Sequence, residues 1–421
     1  MKERILENYE IAKDFYNGLG IDVDEALTRL NKFSISVQCW QGDDVGGFET
    51  PDSVLSGGGI QVTGNHIGKA RSISELQLDM EKVFSLIPGN HRYNLHAIYG
   101  DFDGKSVDRN EIEKSHFDGW IDWAKKNNLK LDFNATCFSH PKAEDGFTLS
   151  NSDKAIRDFW IEHVNRAREI TSYFGKELNS PSVHNLWIPD GSKDTPFDRW
   201  TPRELLKESL DEIYKKGYPS EQIKDAVESK LFGIGSESYV VGSHDFYLSY
   251  ALTRNKMICL DMGHFHLTEN VSDKISSVLQ FSDEVLFHIS RAVRWDSDHI
   301  PILNDELLGV AKEIIRNDLD KRTNIALDFF DASLNRVGAY VIGIRSTIKS
   351  LLIALLEPMA QIEKAEKSNN YLNRLAIMEE SKLHPIGAVW DYYCLSNNVP
   401  TESEWLKEAI IYEEKVLSKR V

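Results

Sequence analysis

The sequence predicts an α/β protein: a (β/α)8 TIM barrel preceded by helices and followed by a long helical C-terminal extension. Two observations lead to this prediction. Short apolar runs alternate with longer segments of helical periodicity, which is the signature of a parallel sheet with crossover helices. Eight such runs occur, and polar or aromatic residues follow each of them. The chain has 421 residues, a length that a barrel with extensions can reach as one domain.

The eight apolar runs are the predicted strands of the barrel. In chain order they are residues 33–39, 93–98, 129–136, 183–188, 231–236, 257–262, 285–289 and 324–330. Because a closed parallel barrel places the carboxyl ends of all its strands on one face, the residues that follow the runs should meet there.

Helical signals between the runs predict the crossover helices. Ser72 and Glu75 form a capping-box pattern ahead of apolar residues at helical spacing, which predicts a helix from residue 73. Residues 201–204 join a second capping box to a proline at the first helical position. The apolar periodicity of residues 305–315 predicts the crossover between the seventh and eighth strands.

Both ends of the chain lie outside the barrel repeat. Residues 3–31 have the pattern of one or two helices, and the chain after residue 340 is almost wholly helical, with a polar loop at 364–370. We therefore expect a barrel domain with N-terminal helices at 1–340 and a helical extension at 341–421. The extension is too apolar to be a solvated tail, so it should pack against the barrel or a neighbouring subunit.

Composition limits the partners and the compartment. A formal net charge of -17 argues against nucleic acid and anionic membranes, which require a cationic surface. The N-terminus lacks an apolar signal core and we expect no apolar span of 18 residues, so we predict neither secretion nor membrane insertion. The cysteines are far apart and form no C-x-x-C pair, which favours a reducing cytoplasm; they are Cys39, Cys137, Cys259 and Cys394.

The segment from residue 261 to 299 predicts a metal site. Asp296 and Asp298 have i,i+2 spacing, which in extended chain places both carboxylates on one face. Two carboxylates this close would repel each other unless a cation neutralised them, although a solvated turn is the alternative. His264 and His266 share the same spacing. Such a set suits Mn²⁺ or Mg²⁺, whereas a structural zinc site would favour thiolates, and we expect the cysteines to take no part.

Further polar groups fall on the same predicted rim. Asp261 and His288 lie inside apolar runs, where they need either a metal or a satisfied hydrogen-bond network. Glu237 and Asp331 stand at predicted strand ends. Because these groups converge on one rim, metal ligation is favoured over a separate local role for each side chain.

Three aromatic residues lie near the ends of their runs: Trp40, His96 and Trp187. They could simply pack in the core. Alternatively, they could form a platform on which aromatic faces meet the apolar C–H surface of a sugar.

Four segments of this chain closely resemble the L-rhamnose isomerase family. They are SISVQCWQGDD at 34–44, ICLDMGHFH at 258–266, RWDSDH at 294–299 and LDFFDAS at 327–333. The resemblance covers essentially the whole chain, including the helical extension.

The resemblance implies a (β/α)8 enzyme that interconverts L-rhamnose and L-rhamnulose by a metal-mediated hydride shift. It implies a divalent ion, preferably Mn²⁺, one or two per subunit, and a cytoplasmic homotetramer. His264, Asp296 and Asp298 would bind one ion. A second ion would add Glu237 as a bridging ligand, with Asp261, His288 and Asp331 around it.

The chemistry of the reaction also suggests, as a hypothesis, roles for residues around the sugar. Asp331 or His96 would help to open the sugar ring, and Trp40, His96 and Trp187 would shape the pocket. The chain departs from some relatives at one place: they carry a lysine two residues after the bridging glutamate, where this chain has Tyr239 after Glu237.

Other functions remain open at this point. A metal-dependent barrel hydrolase uses similar residues, but such enzymes usually carry His-x-His after the first strand, where residues 38–40 here are Gln-Cys-Trp. A non-enzymatic sugar sensor would need no charged metal cluster. An isomerase acting on another aldose is the remaining alternative.

Overall fold

Eight parallel strands close into a barrel in the computed structural model, which describes residues 2–49, 60–294 and 297–420. The predicted (β/α)8 fold is confirmed. Around the barrel the strand order is β1-β10-β9-β8-β6-β4-β3-β2. In chain order the barrel strands are β1 Ser34–Gln38, β2 Asn90–His96, β3 Lys130–Asn134, β4 Ser182–Leu186, β6 Ile223–Glu228, β8 Met257–Asp261, β9 Val285–Ile289 and β10 Thr323–Leu327. Two short strands outside the barrel, β5 Gly191–Ser192 and β7 Tyr239–Val240, pair antiparallel.

Seven of the eight predicted strands overlap the observed ones, but the fifth is wrong. Residues 231–236 lie in a loop after β6, and the strand itself is Ile223–Glu228. This strand contains charged residues on both faces, so it has no apolar run. Asp225 faces the helical layer, where Arg168 pairs with it at 2.9 Å. A buried ion pair therefore replaces the apolar contact that the prediction required.

Eight helices follow the barrel strands. They are α3 Ile73–Phe84, α4 Asp118–Lys126, α5 Lys154–Leu178, α6 Trp200–Ile213, α7 His244–Arg254, α8 Val271–Leu279, α9 Asp305–Arg316 and α10 Arg336–Leu355. The predicted cap of α3 is confirmed, because Ser72 accepts from the backbone N–H of Glu75 at 3.3 Å. The predicted start of α6 is displaced: the helix begins at Trp200, and Asp198 accepts from the N–H groups of Trp200 and Thr201.

The ends of the chain are helical, as predicted. The N-terminal helices are α1 Lys2–Gly18 and α2 Val23–Leu30, and the C-terminal ones are α11 Met359–Lys367, α12 Tyr371–Glu380, α13 Ile386–Ser396 and α14 Glu404–Lys415. The ends meet where α1 packs on α13, and there Tyr9 stacks on Tyr392 with ring centroids 3.6 Å apart. Helix α11 occupies part of the predicted loop at 364–370, and α10 continues across residue 340, so the division there stays a prediction.

Helix α10 is long and apolar enough to cross a membrane by length and composition alone. In this respect the prediction that no such span exists is wrong. The helix packs against α9, α2 and α3, and 78% of its most apolar window is buried inside the molecule. It serves here as a core helix of the barrel layer.

The barrel interior is apolar on one side and polar on the other. A small apolar cluster fills the side formed by β4, β6, β8, β9 and β10; its members are Val183, Ala226, Met257, Cys259, Leu286 and Ala326. On the opposite side Asp132 accepts from Ser36 at 2.6 Å and pairs with Arg92 at 2.7 Å. The large apolar core lies outside the strands, between sheet and helices.

Two helical glycines provide a test of this packing. A Cβ at Gly175 in α5 would lie 1.8 Å from the carbonyl oxygen of Gln222, whereas a Cβ at Gly119 in α4 would meet nothing within 4 Å. We expect Gly175→Ala to lower the free energy of unfolding by about 1–3 kcal/mol through overpacking. Gly119→Ala should leave it unchanged or raise it by about 0.5 kcal/mol. Denaturant unfolding of both variants tests this, and equal midpoints would contradict the close approach.

Candidate metal centre and active-site pocket

A cavity of about 390 Å³ opens at the carboxyl end of the barrel. Active sites of this fold lie at that face, and the volume is in the range of small-molecule sites. Residues at or just after the ends of the strands line much of it: Trp40, His96, Asn134, Asn185, Glu228, His264, His288 and Asp328.

Four buried or half-buried residues form a first group in this cavity. Ligand atoms of Glu228, Asp261, His288 and Asp328 all lie within 4.8 Å of one another. Nδ1 of His288 is 3.3 Å from Glu228 Oε2 and 3.6 Å from Asp261 Oδ2. It is also 3.1 Å from Asp328 Oδ2. One imidazole thus faces three carboxylates.

A second group shares one member with the first. Asp261, His264 and Asp298 also place ligand atoms within 4.8 Å of one another. His264 links the two groups again, because its Nδ1 lies 3.1 Å from Glu228 Oε1. The two groups therefore form one continuous cluster.

Strand register explains why these side chains meet. Asp261, the last residue of β8, pairs with His288 on β9, and His288 pairs with Ala326 on β10. Asp328 lies two residues beyond Ala326 and so projects to the same face. Glu228 ends β6 opposite Cys259, which lies two residues before Asp261. Alternation therefore directs all four residues of the first group into the barrel.

Hydrogen bonds from neighbouring residues hold the carboxylates of the cluster in position. Asp261 Oδ1 accepts from the N–H of Gly263 at 2.5 Å and from Ser290 Oγ at 3.0 Å. Asn185 donates to Glu228 Oε2 at 2.5 Å. Trp40 Nε1 donates to Asp328 Oδ1 at 2.9 Å. Such contacts orient ligands before a metal arrives.

The charges in this cluster perturb one another strongly. Burial disfavours the imidazolium of His288, but Cys259, Glu228 and the neighbouring aspartates raise its pKa well above the usual range. Burial likewise opposes ionisation of Glu228, yet the charge of His288 and the bonds to both histidines lower its pKa. Burial raises the pKa of Asp328. The three carboxylates repel one another unless a cation, either the imidazolium of His288 or a bound metal ion, lies among them.

Unpaired atoms indicate what the cluster would hold. Oδ2 of Asp261 and Nε2 of His288 are buried and have no hydrogen-bond partner within the described parts of the chain. Carboxylate oxygens with a minority of imidazole nitrogens suit a hard or borderline cation. The residues therefore fit a divalent metal ion.

One cysteine lies closer to the cluster than predicted. The sulfur of Cys259 is within 4.8 Å of ligand atoms of Glu228 and His288. Burial raises the pKa of its thiol well above the usual range, so the protonated form prevails, which is a weak ligand.

Aromatic rings in edge contact form one wall of the cavity. Ring centroids are 4.8 Å apart between Trp40 and His96, 5.6 Å between His96 and Phe138, and 5.9 Å between Phe138 and Trp187. Burial lowers the pKa of His96 to about 3, so its imidazole is neutral. Nζ of Lys230 lies 5.1 Å from the centroid of Trp187. The wall combines apolar faces with a few polar atoms.

Comparison with known proteins assigns the chain to a family. The family model of L-rhamnose isomerase (RhaA) matches residues 3–420. The chain belongs to the L-rhamnose isomerase family. Family membership makes the protein an isomerase of aldoses and ketoses, and it supports the isomerase prediction rather than the hydrolase alternative.

Individual relatives agree over nearly the full length. L-Rhamnose isomerase of Rhodopirellula baltica is 55% identical over 412 residues, covering 98% of this chain and 96% of that protein. The enzyme of Listeria monocytogenes serotype 4a is 54% identical over 416 residues, covering 99% of each. Among solved structures, an L-ribulose 3-epimerase has a TM-score of 0.44 at 12% identity, over 73% of this chain and 98% of its own, too distant to bear on function.

Most of the residues that the L-rhamnose isomerase resemblance implicated do meet in the structure. Asp261, His264, His288 and Asp298 lie in the metal cluster. Trp40, His96 and Trp187 line the pocket. Asp296 lies outside the described residues. The roles of these side chains stay predictions.

The structure does not bring Glu237, the predicted bridging ligand, to the cluster. Glu237 is exposed, and its carboxylate accepts from the N–H of Gly235 at 3.4 Å, away from the cluster. Glu228, at the end of β6, lies in the cluster instead, because the observed strand begins eight residues earlier than predicted. Lys230 lies two residues after Glu228, so the lysine expected after this glutamate is present in the chain. The order Glu-x-Lys at residues 228–230 is the sequence signal that points to Glu228.

The second correction concerns the eighth strand. Asp331 lines the pocket, but its Oδ1 accepts from the N–H and hydroxyl of Ser333, and it is absent from the groups found among the described residues. Asp328 lies in the cluster instead, because β10 ends at Leu327 and not at residue 330.

Replacing Glu228 and Glu237 separately tests which of the two glutamates binds the metal ion. Glu228→Gln removes a charge from the buried cluster and should weaken binding of a divalent cation to the metal-stripped protein at least about tenfold. Glu237→Gln should bind the ion as the wild type does. Calorimetric titration of both variants measures this, and weak binding by the Glu237 variant would restore the original assignment.

Proposed function

We propose that this chain interconverts L-rhamnose and L-rhamnulose with one or two Mn²⁺ ions per subunit. The observation that carries the proposal is the cluster of carboxylates and imidazoles at the floor of a sugar-sized pocket. Its members come from four different strand ends, in a chain of the L-rhamnose isomerase family. Relatives at 54–55% identity carry that name over nearly their whole length.

Glu228, Asp261, His264, His288, Asp298 and Asp328 would hold the ions, and Asp296 is proposed from the resemblance alone. When bound, the metal polarises the carbonyl and hydroxyl oxygens of the open-chain sugar for a hydride shift between C1 and C2. Asp261 belongs to both groups of candidate ligands.

The protein's own side chains would bind the sugar and exclude water. Trp40, Phe138 and Trp187 present apolar edges and faces to its C–H surface. His96 is neutral and donates or accepts one hydrogen bond, since its Nδ1 contacts Thr136 Oγ1 at 3.0 Å. That leaves Nε2 for a sugar hydroxyl. His96 and Asp331 are the candidates for moving a proton during ring opening.

A cytoplasmic homotetramer is part of the same proposal. Helix α12 has no buried side chain, and its exposed fractions reach 53% for Tyr371, 81% for Leu372 and 55% for Leu375. Apolar exposure of this kind is typical of subunit contacts. The four cysteines are buried and free, in keeping with a reducing compartment.

Metal dependence tests the proposed reaction directly. The EDTA-stripped protein should not convert L-rhamnose to L-rhamnulose, and added Mn²⁺ should restore conversion. The two sugars are followed by chromatography. A folded, Mn²⁺-loaded protein that leaves L-rhamnose unchanged would refute the substrate; conversion undiminished by EDTA would refute the metal.

Asp298→Asn tests the ligand assignment. The substitution keeps the size of the side chain but removes a charge from the second group, so turnover should fall about a hundredfold or more. Asp283→Asn is the matched control, because Asp283 is exposed and lies in the turn before β9. Steady-state rates at saturating Mn²⁺ measure both. Full activity of the Asp298 variant would exclude it as a ligand.

A further inference from the structure

One side chain of helix α14, near the C-terminus, contacts two loops at the mouth of the pocket, and Asn335 also donates to the carbonyl of Ala409 on this helix at 3.4 Å. Glu413 Oε2 lies 2.7 Å from Nε2 of His66 and accepts from Nδ2 of Asn335 at 2.6 Å. His66 belongs to the loop between β1 and α3, and Asn335 to the loop between β10 and α10. A single carboxylate oxygen therefore joins two segments that are distant in sequence.

The loop between β1 and α3 supplies one side of the pocket. Ile60, Gln61 and Thr63 line the cavity shortly before His66. The backbone near His66 is held by Arg336, whose Nη1 donates to the carbonyls of His66 and Ile67 at 2.7 and 2.8 Å. Displacing His66 would move the pocket residues three to six positions away.

The loop between β10 and α10 supplies the facing side. Asp331 and Ser333 line the cavity. Asn335 caps α10 by accepting from the N–H of Gly338 at 2.7 Å, while its amide group donates to Glu413. Asn335 therefore marks the end of this loop and the start of α10.

The two loops also touch through their backbones. The N–H of His66 donates to the carbonyl of Ala332 at 2.7 Å. Gly64 has φ +124°, and a Cβ there would lie 2.3 Å from the carbonyl carbon of Ala332. This contact leaves no space for a side chain, so a small shift of either loop changes the shape of the pocket.

A hydrogen bond and two ion pairs that do not involve Glu413 also hold α14 and the residues after it on the barrel. Tyr412 donates to Asp79 on α3 at 2.7 Å, and Arg420 pairs with the same aspartate at 2.6 Å. Lys82 pairs with Glu408 at 2.8 Å. Removing the carboxylate of Glu413 would therefore loosen both loops while α14 stays in place. The bonds from Arg336 to the His66 and Ile67 carbonyls and from His66 to Ala332 would remain.

We propose that Glu413 is a positioning residue, which holds the β1–α3 and β10–α10 loops at the separation that sugar binding requires. It touches neither the metal cluster nor the cavity lining, so it acts through Gln61 and Thr63 on one side and Asp331 and Ser333 on the other. As a statement about the sugar pocket, the inference rests on the proposed function.

The test compares three variants of the full-length, Mn²⁺-loaded enzyme. Glu413→Ala removes both contacts, Glu413→Gln keeps an acceptor oxygen at the same place, and Glu414→Ala removes a neighbouring exposed carboxylate. For Glu413→Ala we expect the KM for L-rhamnose to rise about fivefold or more with kcat within about twofold of the wild type. Glu413→Gln should restore most of the KM, and Glu414→Ala should match the wild type.

Hydrogen exchange gives a readout independent of activity. Backbone exchange in 60–68 and 330–335 should quicken in Glu413→Ala and not in Glu414→Ala. The inference is overturned if exchange there is unchanged, if KM stays within twofold, if kcat falls as far as kcat/KM, or if the Gln variant does not recover. If Glu413→Ala fails to fold, His66→Ala is used instead. It removes the contact between His66 and Glu413, and we expect the same changes in KM and in hydrogen exchange.

The two proposals fail differently. If the wild-type enzyme does not convert L-rhamnose, the proposed substrate is wrong, and the exchange data still decide whether Glu413 holds the loops. If the wild type is active and Glu413→Ala behaves as Glu414→Ala does, only the positioning role is wrong.

Discussion

The burial of three carboxylates around one imidazole is the constraint on which the rest of this active site depends. Glu228, Asp261 and Asp328 surround His288 where little water reaches, and such charges are costly unless they are compensated. Strand register, the hydrogen bonds behind each carboxylate and the shared position of Asp261 all serve to hold this unfavourable arrangement in one geometry. A cation converts the same arrangement from a source of repulsion into a binding site.

The pocket above the cluster combines two kinds of recognition. Its floor is charged and suited to oxygens that can reach a metal. Its wall of edge-packed rings is uncharged, since the imidazole of His96 is neutral, and it suits the C–H surface of a sugar. A ligand with a polar end and an apolar side would be oriented by this difference alone.

Sequence reasoning located most of the fold and part of the site because most strands are apolar and most ligands follow them. Asp261, His264 and His288 were found in this way. The sequence pattern does not predict β6, because the strand shows no apolar run. Its Asp225 is neutralised by Arg168, on a helix far away in sequence. That error moved the glutamate from 228 to 237. At β10 the apolar Phe329 and Phe330 extended the predicted strand past its end, so Asp331 was chosen over Asp328. The first error arises from a tertiary partner that local pattern does not reveal, and the second from apolar residues that continue past the end of the strand.

Closure of the barrel carries a consequence for how this protein is made. The first strand pairs with the last, Ile35 beside Ile325, and the contact between Trp40 and Asp328 joins residues 288 positions apart. A ribosome releases these segments in order, so the nascent chain must keep an unpaired strand edge until β10 emerges. Forming contacts over such separations is slow, and open edges invite aggregation meanwhile. The yield of folded enzyme should therefore depend on the rate of translation and on chaperones that shield the open sheet, more than on the stability of the finished barrel.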